Sequence, residues 1–192
     1  MTYKVIGLSG HAGTGKDYIG TNYLKPLGFH QFSLAWHFKI GLVGKGIATY
    51  EEVFTTKPPH VRKALQEEGT EKGRMVFGDD IWCNTVYSWF RLLDESWGIN
   101  KFYIPDVRFP NEVDFIKKMN GHVFRIVAPE REAKSGLTEA ARQHISETAL
   151  DHYNHEDFDG IINNDPFKGP GNGTLMDILY GLLKRYGYLE RT

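Results

Sequence analysis

Seven residues near the start of the chain, Gly10, His11, Ala12, Gly13, Thr14, Gly15 and Lys16, have the G-x-x-x-x-G-K spacing of a phosphate-binding loop. Glycines let the backbone wrap around phosphate oxygens with its N–H groups turned inward, and a following helix adds its positive end. Lys16 supplies a mobile point charge for the β- and γ-phosphates of a nucleotide. The motif follows a β-branched, apolar run over 3–8 and precedes a helix-compatible stretch over 16–24. That setting separates a phosphate loop from a flexible glycine turn. A similar string over 41–46 (GLVGKG) lacks the spacing and reads as a helix end. Asp17 and Tyr18 follow Lys16, where a magnesium-binding Ser or Thr usually stands. Asp17 would either ligate Mg²⁺, directly or through water, or complement the dipole of the helix N-terminus.

A second polar cluster, 104–112 (IPDVRFPNE), falls at the expected end of a central strand. Asp106 would hold magnesium or orient a phosphate acceptor, and Arg108 would grip a phosphate bidentately. The plain alternative is a surface Asp–Arg pair in a turn.

The elements that must position these groups follow from periodicity. Short apolar runs predict strands over 3–8, 29–34, 102–107, 122–127 and 160–163. Helical spacing predicts helices over 16–24, 36–43, 58–72, 80–96, 111–119, 147–152 and 174–186, with a turn or loop over 169–173. Phe77, Trp82, Trp89 and Phe90 could form a wall on which a base stacks; Trp89 and Phe90 fall at core spacing, and Trp82 suits either use. Strands alternating with helices predict an α/β fold, a three-layer α/β/α sandwich around a parallel five-stranded sheet, with ligands at the C-terminal ends of the strands.

Composition narrows the classes. A chain of 192 residues with 41% hydrophobic content and no repeat suits one domain, 1–192. The net charge of -1 offers no global basic field, so no nucleic-acid partner is expected. No run reaches the ~20 apolar residues of a membrane span, and no signal-peptide pattern is present, so a cytoplasmic protein is expected. Cys83 is the only cysteine, which excludes an intrachain disulfide and points to a small buried side chain. His144, His152 and His155 could hold a metal by composition, but the pattern lacks further ligands.

Four segments together resemble the bacteriophage deoxynucleoside monophosphate kinases: 8–17 (LSGHAGTGKD), 65–74 (LQEEGTEKGR), 105–112 (PDVRFPNE), and 144–147 (HISE) with 158–163 (FDGIIN). They run in the family's order and span most of the chain. The Gly-Lys-Asp loop is similar to the family's own variant. Many members follow that Asp with Thr, whereas this chain has Tyr18, a phenol in place of the aliphatic hydroxyl.

The resemblance implies a nucleoside monophosphate kinase-like P-loop fold with a helical acceptor-binding region, about 34–98, and a lid, about 129–146. It implies Mg·ATP as phosphoryl donor and a deoxynucleoside monophosphate as acceptor, in the host cytoplasm if the chain is phage-encoded. Gly10 to Asp17 would bind the ATP phosphates, Arg74 and Arg108 would grip the acceptor phosphate, and Asp106 would sit at the reacting centre. Lys39, in the 32–39 stretch (FSLAWHFK), and Trp82 are further acceptor-site candidates. Arg131 and Arg142 are the candidate lid arginines, and 144–147 has no assigned role. Animal-type phosphomevalonate kinases share the Gly-Lys-Asp-aromatic loop and are the nearest rival reading. The 69–74 stretch (GTEKGR) favours the deoxynucleotide kinases. A non-catalytic nucleotide-binding module is the rival of another class, and a homodimer is left open.

Overall fold

In the computed structural model, which describes residues 3–134, 138–165 and 174–189, the alternating apolar residues of each strand part to opposite faces of one sheet. Strand β1 (Lys4–Ser9) sends Val5 to one side and Ile6 and Leu8 to the other, all without solvent exposure. It is followed by helix α1 (Lys16–Ile19), which continues as a widened π-type turn, Gly20–Leu24. Next come the short strand β2 (His30–Gln31) and helix α2 (Trp36–Gly44). Helix α3 (Pro59–Gln66) runs into a π-type segment, Glu67–Arg74, and the single turn α4 (Met75–Phe77). Helix α5 (Ile81–Trp97), strand β3 (Lys101–Val107), helix α6 (Pro110–Lys118) and strand β4 (His122–Val127) complete the middle of the chain. Three short helices follow: α7 (Pro129–Glu132), α8 (Glu139–Arg142) and α9 (Ile145–Thr148). Strand β5 (Gly160–Asn163) and helix α10 (Leu175–Arg185) close the fold.

All five strands are parallel, in the order β2-β3-β1-β4-β5. One face packs Val5, Phe102, Ile104 and Val123 against α5 and α6 through Val86, Phe90, Val113 and Ile116. The other packs Ile6, Leu8, Tyr103, Phe124 and Ile126 against Ile19 and Leu24 and against Leu179 and Leu183 of α10. The three-layer α/β expectation therefore holds, because a parallel sheet needs both faces covered. A smaller cluster of Leu42, Ala48, Val53 and Val61 joins α2 to α3 beside the sheet. No described helix is long and apolar enough to cross a membrane. The loop expected over 169–173 and residues 135–137 of the expected lid lie outside the described residues.

Register sets the site. Ser9 pairs with Val107, so the phosphate loop and the Asp106–Arg108 element leave the sheet side by side. One helix and one strand depart from their expected bounds. The helix expected over 147–152 runs over Ile145–Thr148 instead, because the His144 ring caps it and accepts from the Ser146 N–H at 3.2 Å. The strand expected over 29–34 stops at Gln31, because the Ser33, Leu34 and Ala35 groups turn to Asp106.

Cys83 is buried as expected, and its burial pushes the thiol up to about 12. Phe90 is fully buried and stacks on Phe102 with ring centroids 3.8 Å apart, but Trp89 is 39% exposed and lies at the rim of that cluster rather than in the core. Phe90→Ala should lower stability by about 3–5 kcal/mol, read as a shift of the urea midpoint. Trp89→Ala should cost clearly less.

Candidate functional site

The phosphate loop closes on backbone that leaves no room for side chains. Gly10, Gly13 and Gly15 all have positive φ. A Cβ on Gly10 would stand 2.2 Å from the Ile126 carbonyl oxygen, and one on Gly15 would stand 2.3 Å from Asn164 Nδ2. Asn164 is itself buried, and its side-chain N–H donates to the Thr14 carbonyl at 2.8 Å. Asn164 belongs to none of the sequence motifs, although its place as a polar residue just past the end of β5 is the signal that marks it. Lys16 is buried in the bend and donates to the carbonyls of Gly10 (2.6 Å) and His11 (2.7 Å). Burial, helped by the positive Arg108, pushes the Lys16 ammonium down to about 7. A nucleotide polyphosphate fits this cradle, since glycine-rich backbone surrounds a buried cation whose described hydrogen-bond partners are neutral oxygens of the loop.

The loop opens into a cavity of about 480 Å³. Lys16, Lys39, Lys57, Arg62, Arg74 and Arg108 line it, against Asp17, Asp106, Glu112 and Glu147. A surplus of cations in a concave, partly apolar site suits an anionic ligand. Its far wall is apolar: Trp36, Phe38, Leu65 and Trp82. Trp82 is fixed there by donating its indole N–H to the Gly69 carbonyl at 2.8 Å, within the widened Glu67–Arg74 segment. Phe77 is 70% exposed and is not among the lining residues.

Of the sequence-predicted site residues, Ala12, Gly13, Gly15, Lys16, Asp17, Lys39, Arg74, Trp82, Asp106 and Arg108 line this cavity, whereas Arg131 and Arg142 are not among its described lining residues. Asp106 lines the cavity, and its oxygens accept from Ser33 Oγ (2.6 Å), the Leu34 N–H (3.1 Å) and the Ala35 N–H (2.9 Å). It therefore fastens the segment that opens α2 and carries Lys39. Burial lowers the Lys39 pKa, with Asp106 opposing that shift. Asp17 is exposed beside Lys16 and lines the same cavity, which makes it the carboxylate there best suited to take up Mg²⁺.

Arg74 is buried, stacks on the Phe109 ring at 4.0 Å and pairs with Glu112. It also donates to the Asp79 carbonyl at 2.6 Å. Glu112 accepts further from the backbone N–H groups of Arg108 (2.5 Å) and Phe109 (3.0 Å). Burial pushes Glu112 up to about 7, while Arg74 and these N–H groups work the other way. Glu112 closed the quoted 105–112 motif but carried no expected role.

Glu132, Glu147 and Asp151 hold the loop through side-chain contacts. His11 lies between Glu132 (3.0 Å) and Asp151 (2.7 Å). Burial opposes protonation of His11, but these two partners prevail and raise its pKa. Glu147 accepts from the Ala12 N–H at 3.1 Å and pairs with Arg108. Arg131 Nη1 lies 3.2 Å from where a Gly15 Cβ would stand, beside the loop. Ala141 of α8 lines the cavity, with Arg142 the next residue along.

No known family profile matches the chain. A protein of Acanthamoeba polyphaga mimivirus, whose name proposes it as a deoxynucleotide monophosphate kinase, is 28% identical over 143 residues, covering 65% of this chain and 74% of that protein. Among solved structures, shikimate kinase from Acinetobacter baumannii in complex with shikimate superposes with a TM-score of 0.53 at 15% identity, covering 97% of this chain and 94% of that one. A sugar kinase from Janibacter superposes with a TM-score of 0.50 at 11% identity, covering 96% and 94%. At these identities the two structures speak for the fold, which is that of P-loop kinases. The relative and the fold together support a kinase of the nucleotide or small-molecule type.

The buried Arg74–Glu112 pair yields a stability prediction. Glu112→Ala should cost about 3–5 kcal/mol, because it leaves the guanidinium charge buried without its partner. The double change Arg74→Met with Glu112→Leu should cost less than Glu112→Ala alone, read by urea unfolding.

Proposed function

We propose that the protein transfers the terminal phosphoryl group of ATP to a deoxynucleoside 5'-monophosphate, giving the diphosphate for DNA synthesis, in a phage or related viral setting. The observation that carries this reading is the shared cavity. A phosphate loop, the Asp106–Arg108 element and an aromatic wall open onto one space. That space offers phosphate binding at one end and a stacking surface at the other. The mimivirus relative's name supports the choice of acceptor.

In this reading the chain is one kinase domain, with 34–98 as the acceptor region and 129–146 as the lid. Gly10 to Asp17 hold the ATP phosphates, and Asp17 takes the magnesium ion. The bound ion would offset charge on the β- and γ-phosphates. Lys16 stabilises the charge of the transferring group. Arg108 holds the acceptor phosphate, and Arg74 shapes the same wall from its ion pair. Asp106 sets the position of α2 and of Lys39. Trp82, Trp36 and Phe38 form the wall against which the base lies. Arg131 and Arg142 close over the donor. The acceptor is already a phosphate, largely ionised at neutral pH, so no strong general base is required.

The deciding assay combines purified protein, Mg·ATP and each deoxynucleoside monophosphate, with phosphomevalonate as an additional acceptor, and follows ADP. Formation of ADP with at least one deoxynucleotide is the expected result. ADP with phosphomevalonate alone, or with no acceptor, would falsify this reading. Lys16→Met and Arg108→Ala should each lower kcat/KM by about 10²–10³-fold, and Asp106→Asn should lower it as well.

Lys16 adds a pH signature. Its pKa of about 7 leaves a large neutral fraction in the ligand-free protein at pH 8. A polyphosphate beside it favours the ammonium form. Lys16 should therefore add a proton uptake to the binding of inorganic tripolyphosphate at pH 8 and almost none at pH 5.5, read as the difference between wild type and Lys16→Met because the polyphosphate titrates in the same range. Calorimetry in buffers of different ionisation enthalpy reads this, and Lys16→Met should lack this contribution.

A further inference from the structure

Glu147 bridges the donor loop and the acceptor arginine, and the proposed chemistry gives it no task. Its side chain is only 11% exposed and lines the cavity. One carboxylate oxygen accepts from the Ala12 N–H of the phosphate loop at 3.1 Å, and the other from Arg108 Nη1. The Ser146 carbonyl accepts from the same Nη1 at 3.0 Å, so two groups of α9 hold one corner of the guanidinium. Among the described residues the remaining donors of that planar fork have no partner, and an arginine needs a fixed plane to hold a phosphate with two parallel bonds. The loop contact fixes the same carboxylate relative to the donor side. Two further acidic residues from this stretch, Glu132 and Asp151, hold the neighbouring His11. Glu132 of α7 and Asp151, just past α9, thus tie their own elements to the loop independently of Glu147.

We infer that Glu147 is a positioning residue, which sets the guanidinium plane of Arg108 against the phosphate loop and so fixes the distance between donor and acceptor phosphates. The inference rests on the proposed role of Arg108 as a phosphate-binding group. It competes with an opposite use of the same contacts, in which the carboxylate stands where a phosphoryl oxygen must go and obstructs it. Two observations favour positioning. The Ser146 carbonyl, which cannot mimic a phosphate, shares in holding Arg108. Among the described residues the carboxylate meets one N–H of the loop, that of Ala12.

The two uses predict opposite signs, and a probe that needs no turnover separates them. Inorganic phosphate is titrated by ³¹P NMR into the ADP-saturated protein for wild type, Glu147→Gln, Glu147→Ala, Arg108→Ala and the double variant Arg108→Ala/Glu147→Gln. ADP affinity is measured in parallel by calorimetry. Positioning predicts that Glu147→Ala weakens phosphate about tenfold or more, as expected for loss of a charge-assisted bond. Glu147→Gln, which keeps one acceptor oxygen, should fall between Ala and wild type. The double variant should be no worse than Arg108→Ala, because the two residues act as one unit. ADP affinity should stay within about twofold of wild type. In turnover assays the KM for the acceptor should rise while the KM for ATP holds.

Tighter phosphate or ADP binding in either Glu147 variant overturns the inference and makes the carboxylate an obstruction. Losses that add in the double variant also overturn it, since they indicate general damage. So does a wild type whose phosphate affinity equals that of Arg108→Ala. A wild type that phosphorylates no deoxynucleotide removes the proposed acceptor instead, and the phosphate titration still decides the role of Glu147.

Discussion

A carboxylate taken almost wholly out of water must be met by donors, and the arrangement of the site depends on how Glu112 meets that demand. Its partners are the guanidinium of Arg74 and the backbone N–H groups of Arg108 and Phe109. Those partners come from the widened segment after α3 and from the turn that leaves β3. One buried charge therefore joins the acceptor region to the sheet and sets the exit angle of the turn carrying Arg108. A buried pair of this kind adds little net stability compared with an apolar pair. Its effect is geometric, since few other placements of these two segments would leave all the donors and acceptors satisfied.

From that anchor a polar chain runs toward the donor side. Arg108 reaches Glu147, Glu147 reaches the Ala12 N–H, and the loop is clasped again at His11 by Glu132 and Asp151. Asn164 holds the loop from the opposite side through the Thr14 carbonyl. Lys16 lies inside this frame, its ammonium turned to the loop's own carbonyls. Burial makes that charge costly, so an arriving anion gains more from it than from a solvated lysine.

The sheet and its two packed faces were legible because short, nearly continuous apolar runs in 3–8, 102–107 and 122–127 mark strands buried on both sides. The phosphate loop was legible because its spacing encodes backbone geometry. The aromatic at position 89 was misplaced because helical spacing gives a face and not a depth, and Trp89 lies at the edge of the buried cluster. The widened turn over Glu67–Arg74 was read as ordinary helix, since its hydrogen bonding is settled by Trp82 reaching the Gly69 carbonyl from another helix. The shortened β2 had a comparable cause in Asp106, distant in sequence. Glu147 and Asn164 stayed without roles because their partners in the loop lie 135 and 150 residues away. Local pattern names the groups that can do chemistry, and tertiary hydrogen bonds decide which of them face one another.

The buried thiol of Cys83 has a practical consequence. It is the chain's single cysteine, it is 2% exposed, and its burial keeps it protonated well above neutral pH. Thiol-directed reagents act on accessible thiolates, so the native chain should stay silent toward maleimides while folded. Cysteines introduced on the surface of α8 and of α3 would then be the reactive ones. A pair of fluorophores there could report the separation of the two sides of the cleft during a reaction, without first building a cysteine-free background.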